Sequence, residues 1–267
     1  MIIADLERKI NLMTFFEAIF LASVQGLTEF LPISSSGHLV FFQKALAIAG
    51  PPVFFDVLLH LGTLGSIVIF FRKEIWDLVF NWEKQINAWS FIILGSIPAA
   101  FAGLIFNAKL KATFDSLWLV GVAWALFGAL LLLTSKLKIK DRPKKITWRD
   151  SLFVGIFQAM ALLPGISRSG STISAVLIRD FSQQTAFKLS FLLAIPAILG
   201  ATILEIKEDG FAQAFSPLPI LSMLMAGVVG YFALLLLQKS LKSEKFYLFG
   251  FYCLAIGALA FFLSFRV

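Results

Sequence analysis

The sequence predicts an all-α polytopic membrane protein, with six transmembrane helices and two re-entrant helical hairpins arranged as an inverted-topology repeat. Of its 267 residues, 59% are hydrophobic and 15% are charged, whereas soluble domains carry about 25% charged residues. Six apolar segments are long enough to cross a bilayer, and two more apolar stretches are broken in the middle by Pro, Gly and Ser. The two broken stretches also resemble each other in sequence.

The six unbroken segments have the length that a membrane-spanning helix needs. A helix of about 20 residues crosses the roughly 30 Å of hydrocarbon in a bilayer. The predicted spans are residues 52–71, 89–106, 117–135, 184–204, 217–238 and 246–265.

The two broken stretches, residues 14–49 and 151–180, each predict two half-helices that enter and leave the membrane on one side. Their breaks lie at residues 32–37 and 164–170. Irregular backbone at membrane depth is tolerated only where it is buried in protein or lines a watery cavity. An ordinary span with a loop at its end is the alternative interpretation of each stretch.

Residues 17–37 align with residues 150–170 without a gap. The six identical pairs are Phe20 and Phe153, Gln25 and Gln158, Ile33 and Ile166, Ser34 and Ser167, Ser36 and Ser169, and Gly37 and Gly170. The polar pairs carry the most weight, because chance matches in this composition would pair apolar residues. We therefore predict a single membrane domain, residues 1–267, with internal repeats at residues 14–135 and 150–265.

Loop charges predict the orientation of this domain. With the start of the chain outside, fifteen Lys and Arg residues fall in cytoplasmic loops and six fall on the outer side, as the positive-inside rule requires. Three crossings in each repeat reverse the chain direction, so the second hairpin enters from the opposite face and the two tips can meet. The net charge of +7 reflects these loops, and no nucleic-acid partner is expected.

The first broken stretch carries side chains suited to an anionic substrate. Gln25 and Glu29 are four residues apart and would share one helical face. Three hydroxyls follow, at residues 34–36, where a restarting helix would present free N–H groups to an anion. His38 could donate or accept a proton near neutral pH. Glu29 could serve as a general base or help to hold a divalent ion.

The second stretch repeats this design and places Arg168 where the first has its middle serine. A guanidinium binds two phosphate oxygens at once. The predicted phosphate-binding residues of both stretches are Ser34, Ser36, Ser167, Arg168, Ser169 and Thr172. Together with Glu29 and His38 they suit phosphoryl transfer, in which positioning and charge stabilisation do most of the work. Each serine could instead have a structural role.

A further polar pair, Asp56 and His60, is spaced four residues apart near the start of a predicted span. The pair could belong to the site, or it could make contacts within its own helix. The sequence leaves both interpretations open.

These motifs resemble those of the bacterial undecaprenyl-diphosphate phosphatase family, the integral-membrane type linked to bacitracin resistance. The resemblance lies in residues 25–38, 164–172 and 55–62 and extends over essentially the whole chain. It implies hydrolysis of undecaprenyl diphosphate to undecaprenyl phosphate and inorganic phosphate, which recycles the carrier lipid for cell-wall synthesis. It also implies a bacterial plasma (inner) membrane protein whose site opens to the outer face. Membrane lipids, the polyprenyl diphosphate and a homodimer are the expected partners.

The resemblance marks Glu29, Ser35, His38 and Arg168 as catalytic residues and implies a divalent cation, Mg²⁺ or Ca²⁺. Some relatives have a second carboxylate where this chain has Gln25, so Glu29 and Gln25 are the expected metal ligands, with less charge than two carboxylates. Either Ser35 or His38 could attack the phosphorus. A transporter or flippase of a lipid phosphate or small anion is the alternative function, because broken helices in inverted repeats also occur in transporters.

Overall fold

The chain folds into α-helices, as described here from a computed structural model. The structure describes residues 13–46, 53–137, 145–209 and 217–265. Within these ranges, two short 3₁₀ helices lie at Thr134–Lys136 and Phe246–Leu248. The α-helices are α1 (Phe15–Phe30), α2 (Ser35–Ala45), α3 (Val53–Phe70), α4 (Arg72–Phe80), α5 (Ile86–Phe114), α6 (Leu117–Leu133), α7 (Trp148–Met160), α8 (Arg168–Ile178), α9 (Gln183–Asp209), α10 (Pro217–Lys242) and α11 (Phe249–Leu263).

The all-α polytopic prediction is confirmed at the level of candidate spans. Five helices among the described residues are long and apolar enough to cross a membrane, or six if the bent pair α3 and α4 counts as one. Each predicted span coincides with one of the helices α3, α5, α6, α9, α10 and α11. The predicted segment ends at residues 47–49 and 52, and most of the basic loop at residues 138–144, lie outside the described residues.

The chain bends by 77° between α3 and α4. The predicted spans leave residues 72–88 as a loop, but residues 72–80 form a helix. Leu78 is buried and Ile75 packs against the core, while Trp89 donates its indole N–H to the Leu78 carbonyl at 3.0 Å. A helix this short buries too few apolar residues to stand out in a search for spans.

Both broken stretches form two helices, and they begin with the same local devices. A capping box of Thr14 and Glu17 starts α1, and one of Thr147 and Asp150 starts α7. In such a box the two residues satisfy each other's free backbone N–H groups, which sets where the helix begins. The two boxes are 133 residues apart, which is the offset of the sequence repeat.

The second helix of each stretch is capped by a serine at the same offset. Ser34 accepts a hydrogen bond from the N–H of Gly37, and Ser167 accepts one from the N–H of Gly170. The helices therefore restart at Ser35 and Arg168, inside the predicted breaks at residues 32–37 and 164–170. This places Ser35 and Arg168 in the first position of α2 and α8.

Two of the long helices, α6 and α11, pack closely at positions where both have glycine. Gly121 and Gly128 of α6 lie against Gly257 and Gly250 of α11, where an added Cβ would come within 2.8 Å of backbone oxygen. Small residues let helix backbones approach closely in membranes. Helix α10 packs against α1 and α3, and α5 packs against α7 and α9. The two broken stretches are thereby held between long helices.

Candidate active site

The two turns that break the stretches dock onto each other. The N–H of Gly165 donates to the Ser34 hydroxyl at 3.0 Å, and Ser167 and Ser169 each donate to the Leu31 carbonyl at 3.4 Å. The backbones also meet closely, since a Cβ at Gly170 would lie 2.8 Å from Pro32 Cβ. Two motifs far apart in the sequence therefore form one polar region.

The Glu29 carboxylate is the centre of this region. Arg168 donates from Nη2 to its Oε1 at 2.6 Å. Ser35 donates its hydroxyl to Oε2 at 2.7 Å, and Gln25 donates its amide N–H to the same oxygen at 3.0 Å. Glu29 is only 7% exposed, and a buried charge is tolerated where it is paired and hydrogen-bonded. Both sequence motifs thus converge on one carboxylate.

Two polar atoms beside this carboxylate have no hydrogen-bond partner within the described part of the chain. They are Nη1 of Arg168, a donor, and Oε1 of Gln25, an acceptor, and both are buried. Buried polar atoms are nearly always satisfied, so such atoms call for an explanation. The arrangement leaves the two N–H donors of Arg168 Nη1 for an anion and one oxygen, Gln25 Oε1, for a cation. Ser35, Ser36 and Arg168 are partly exposed, so a ligand can reach this side.

Within the part of the chain that the structure describes, His38 forms no hydrogen bond or ion pair with Glu29. Its Nδ1 lies 2.7 Å from the Ser34 carbonyl oxygen, and its Nε2 lies 2.7 Å from the Tyr252 hydroxyl. Because a carbonyl can only accept, Nδ1 carries the proton. In a neutral ring Nε2 is then an acceptor for the Tyr252 hydroxyl. His38 is 2% exposed, so both of its nitrogens are engaged inside the protein.

The imidazole beside the carboxylate is that of His60. Its Nε2 lies 3.8 Å from Glu29 Oε2, and its side chain is 32% exposed. Its Nδ1 lies 2.7 Å from the Asp56 carbonyl oxygen one turn earlier. Of the two interpretations left open by the sequence, the structure brings His60 to the site.

Most of the other predicted phosphate-binding residues make hydrogen bonds inside the protein. The hydroxyls of Ser34, Ser167 and Ser169 bond within and between the two turns, and all three residues are buried. Thr172 donates to the Arg168 carbonyl at 2.9 Å and lies beside the Ser190 hydroxyl of α9. Ser36 alone among these hydroxyl residues is partly exposed.

Sequence reasoning missed two residues that shape the site. Trp124 is fully buried and donates its indole N–H to the Ile33 carbonyl at 2.7 Å, and Tyr252 holds His38. Each is one of several aromatic residues in an apolar helix, so nothing in the local sequence singles out its contact. Cys253 is buried next to Pro32, which agrees with a packing role.

The sequence that forms this site matches a known protein family. A family profile described as bacitracin resistance protein BacA matches residues 18–259. The chain belongs to the BacA family.

Several BacA-like relatives carry the name undecaprenyl-diphosphatase. The one from Halothermothrix orenii is 39% identical over 92% of this chain and 96% of its own length. The one from Methanococcus maripaludis strain C6 is 41% identical over 89% of this chain and 95% of its own length. The one from Thermosipho melanesiensis is 40% identical over 92% of this chain and 98% of its own length.

The site of this BacA-family chain offers limited means of holding a metal ion. In the described ranges, no group of three or more His, Cys, Asp or Glu side chains is placed to bind one. Glu29 and the free Oε1 of Gln25 provide two oxygen donors, which suits Mg²⁺ or Ca²⁺ rather than a soft metal. The residues therefore fit a cation that a phosphate ligand also coordinates.

Proposed function

We propose that this chain hydrolyses undecaprenyl diphosphate to undecaprenyl phosphate and inorganic phosphate. The observation that carries the proposal is the convergence of Ser35, Gln25 and Arg168 on the carboxylate of Glu29. A nucleophile, a proton acceptor and a phosphate-binding cation are then adjacent. The names of the relatives support the same reaction.

Ser35 is the attacking group in this proposal. Its hydroxyl already donates to Glu29, and it is partly exposed at the first position of α2. The Ser35 oxygen forms a bond to the terminal phosphorus while the bond from that phosphorus to the bridging oxygen breaks. The hydroxyl proton passes to Glu29, and undecaprenyl phosphate leaves. Water then hydrolyses the phosphoserine, which releases inorganic phosphate and restores Ser35.

Arg168 binds the terminal phosphate. Its Nη1 has no partner among the described residues, and its Nη2 can turn from Glu29 to a phosphate oxygen, which frees the carboxylate to accept a proton. The helices α2 and α8 also begin at Ser35 and Arg168, and the positive end of a helix dipole favours an anion. Charge on the transferred phosphoryl group is thereby stabilised, which is the main requirement of this chemistry.

A divalent cation completes the proposed site. Glu29 and Oε1 of Gln25 would hold it together with oxygens of the diphosphate, as Mg²⁺ is usually bound through one or two carboxylates and substrate phosphates. When bound, it neutralises part of the diphosphate charge.

The membrane arrangement of the proposal is six spans and two re-entrant hairpins in an inverted repeat, with the site open to the outer face of the plasma membrane. The reciprocal packing supports it, because α1 lies on α10 as α7 lies on α5. The equal offsets of the capping boxes support it too. The homodimer named among the expected partners stays a prediction. No contact within the site favours transport over hydrolysis.

The test of the proposed function is phosphate release by the purified protein in detergent, with undecaprenyl diphosphate as substrate. We expect Ser35→Ala to lower kcat by at least about 10³-fold, as loss of a nucleophile does in other hydrolases. We expect Arg168→Ala to cost about 10²- to 10³-fold, the cost of removing one key transition-state donor. Ser243→Ala and Arg149→Ala, which alter exposed residues, serve as controls.

A trapping experiment identifies the attacking group. Protein mixed with lipid labelled in its terminal phosphate is quenched in detergent within one turnover and analysed by mass spectrometry. Label on Ser35 supports the mechanism. Label on a histidine, or full activity of Ser35→Ala, would overturn it.

A further inference from the structure

The residue that precedes the proposed nucleophile has a rare backbone conformation. Ser34 has φ 68° and ψ 100°, in the left-handed half of the map that residues other than glycine seldom occupy. Such a conformation persists only where the surroundings impose it, and it is found at active sites. Because Ser35 follows directly, whatever holds Ser34 also decides whether the Ser35 hydroxyl reaches Glu29.

Three hydrogen bonds hold the backbone here, in addition to two local ones: the helical bond from the His38 N–H to the Ser34 carbonyl at 3.2 Å, and the cap from the Gly37 N–H to the Ser34 hydroxyl. Trp124 donates to the Ile33 carbonyl at 2.7 Å, and the N–H of Gly165 donates to the Ser34 hydroxyl at 3.0 Å. The third bond comes from Nδ1 of His38 to the Ser34 carbonyl at 2.7 Å. That bond acts on the carbonyl of the strained residue itself. The backbone N–H of His38 shares this oxygen at 3.2 Å, so the shorter imidazole bond adds a second, side-chain constraint on the direction in which the chain leaves Ser34.

The His38 bond requires one particular tautomer. Nδ1 must carry the proton, since a bare nitrogen would set its lone pair against the carbonyl oxygen. Tyr252 of α11 can impose this tautomer, because its hydroxyl lies 2.7 Å from Nε2 and can donate to it. The Tyr252 ring stacks on the imidazole, with centroids 5.7 Å apart and planes 8° apart, and Trp124 meets the ring edge-on at 5.0 Å.

We propose that Tyr252 and His38 are positioning residues that hold Ser34, and through it place the hydroxyl of Ser35 against Glu29. Tyr252 sets the tautomer and plane of the imidazole, and the imidazole binds the Ser34 carbonyl. Neither side chain touches the reacting atoms. This inference rests on the proposed role of Ser35, because it assigns a purpose to the position of that hydroxyl.

Three variants of His38 test which nitrogen matters. The amide of Asn reaches about as far as Nδ1, so His38→Asn keeps a donor for the Ser34 carbonyl, whereas His38→Gln places its amide nearer the position of Nε2. We expect His38→Ala to lower kcat by about 10²-fold, as a misplaced reacting group does, with KM nearly unchanged. We expect His38→Asn to recover about tenfold of this loss, and His38→Gln to recover less.

Tyr252→Phe removes a single oxygen atom and leaves the stacked ring in place. We expect kcat to fall about three- to tenfold, which corresponds to one net hydrogen bond. In the His38→Asn background the same change should have no further effect, because Asn cannot reach Tyr252. Tyr247→Phe is the matched control, since its hydroxyl has no hydrogen-bond partner among the described residues.

The tautomer can be observed directly by nitrogen NMR on protein labelled at histidine. The chain has two histidines, and the His60→Gln variant leaves His38 alone in the spectrum. A protonated Nδ1 and an unprotonated Nε2 would support the proposal, and the reverse pattern would overturn it.

The activity data separate failure of this inference from failure of the proposed function. If His38→Asn is as inactive as His38→Ala while both keep the wild-type melting temperature, the imidazole acts on the substrate and the positioning role is wrong. Additive losses for Tyr252→Phe and His38→Asn would overturn the role of Tyr252. If Ser35→Ala retains activity, the proposed mechanism itself is wrong, whatever the His38 variants show.

Discussion

Replacing Glu29 by Gln removes a negative charge that holds the two halves of the site together. The carboxylate accepts hydrogen bonds from Arg168, Ser35 and Gln25, and its side chain is 6% exposed, against 15% for Arg168. Breaking a buried ion pair by removal of one partner costs about 3–5 kcal/mol. Because Arg168 retains some exposure, we expect about 2–4 kcal/mol for Glu29→Gln.

The melting temperature in detergent measures this loss, with tryptophan fluorescence as the signal. About 2–4 °C per kcal/mol is usual for large domains, so we expect a fall of about 4–16 °C. Phosphate release should be lost as well, because no carboxylate is left to accept the serine proton. Glu83→Gln removes an exposed carboxylate and should change neither quantity.

A second variant separates the stability of the pair from its chemistry. In Glu29→Gln with Arg168→Met, the guanidinium that would be left without a counter-charge is gone, so most of the melting temperature should return. Activity should not return. An unchanged melting temperature for Glu29→Gln, or a double variant less stable than Glu29→Gln alone, would refute the reasoning about the ion pair.

Three further changes test the docking of the turns, the cation and His60. Gly170→Ala would place a Cβ 2.4 Å from the Phe127 side chain and 2.8 Å from Pro32 Cβ of the other turn. The turns should move apart, so kcat should fall about 10²-fold. Gly200→Ala, which meets no atom within 4 Å, should be silent, and equal effects of both would contradict the docking. EDTA should abolish phosphate release, and Mg²⁺ or Ca²⁺ should restore it. Gln25→Glu adds a second carboxylate and should lower the Mg²⁺ concentration for half-maximal activity about tenfold. Activity that survives chelation would remove the cation from the mechanism. His60→Ala should lower kcat/KM by about tenfold if the imidazole 3.8 Å from Glu29 faces the substrate, and wild-type kinetics would assign it to helix contacts alone.

Much of the fold could be predicted because its signals are local. Apolar runs about as long as the bilayer is thick predict helices directly, and all six predicted spans coincide with helices. The breaks near Pro32 and Pro164 were predictable because each Pro stands beside Gly and Ser residues, a local combination that favours a turn, whereas the isolated Pro98 and Pro196 lie inside continuous helices. Helix α4 was not predicted, since its short apolar face is visible only once Leu78 is packed against the core.

The site could be predicted only in part. Glu29 and Arg168 were singled out because charged residues in apolar segments are costly and usually functional. The sequence could not show which histidine lies beside Glu29, because the local contacts of the two are alike. His38 and His60 each bond the carbonyl oxygen of the residue four positions earlier through Nδ1. Which imidazole lies beside Glu29 depends on how α3 packs against the rest of the chain.

The sequence by itself determined the helices, the repeat and the kinds of side chain available, because helix length, capping and the cost of buried charge act over a few residues. The tertiary structure alone decided which side chains contact each other. It directed the Ser35 hydroxyl to Glu29, enclosed His38 between Ser34 and Tyr252, and placed Thr172 behind the site against α9. The contacts of His38 with Tyr252 and of Thr172 with Ser190 join residues on different helices. Their geometry follows from close packing of the whole chain, which no short stretch of sequence encodes.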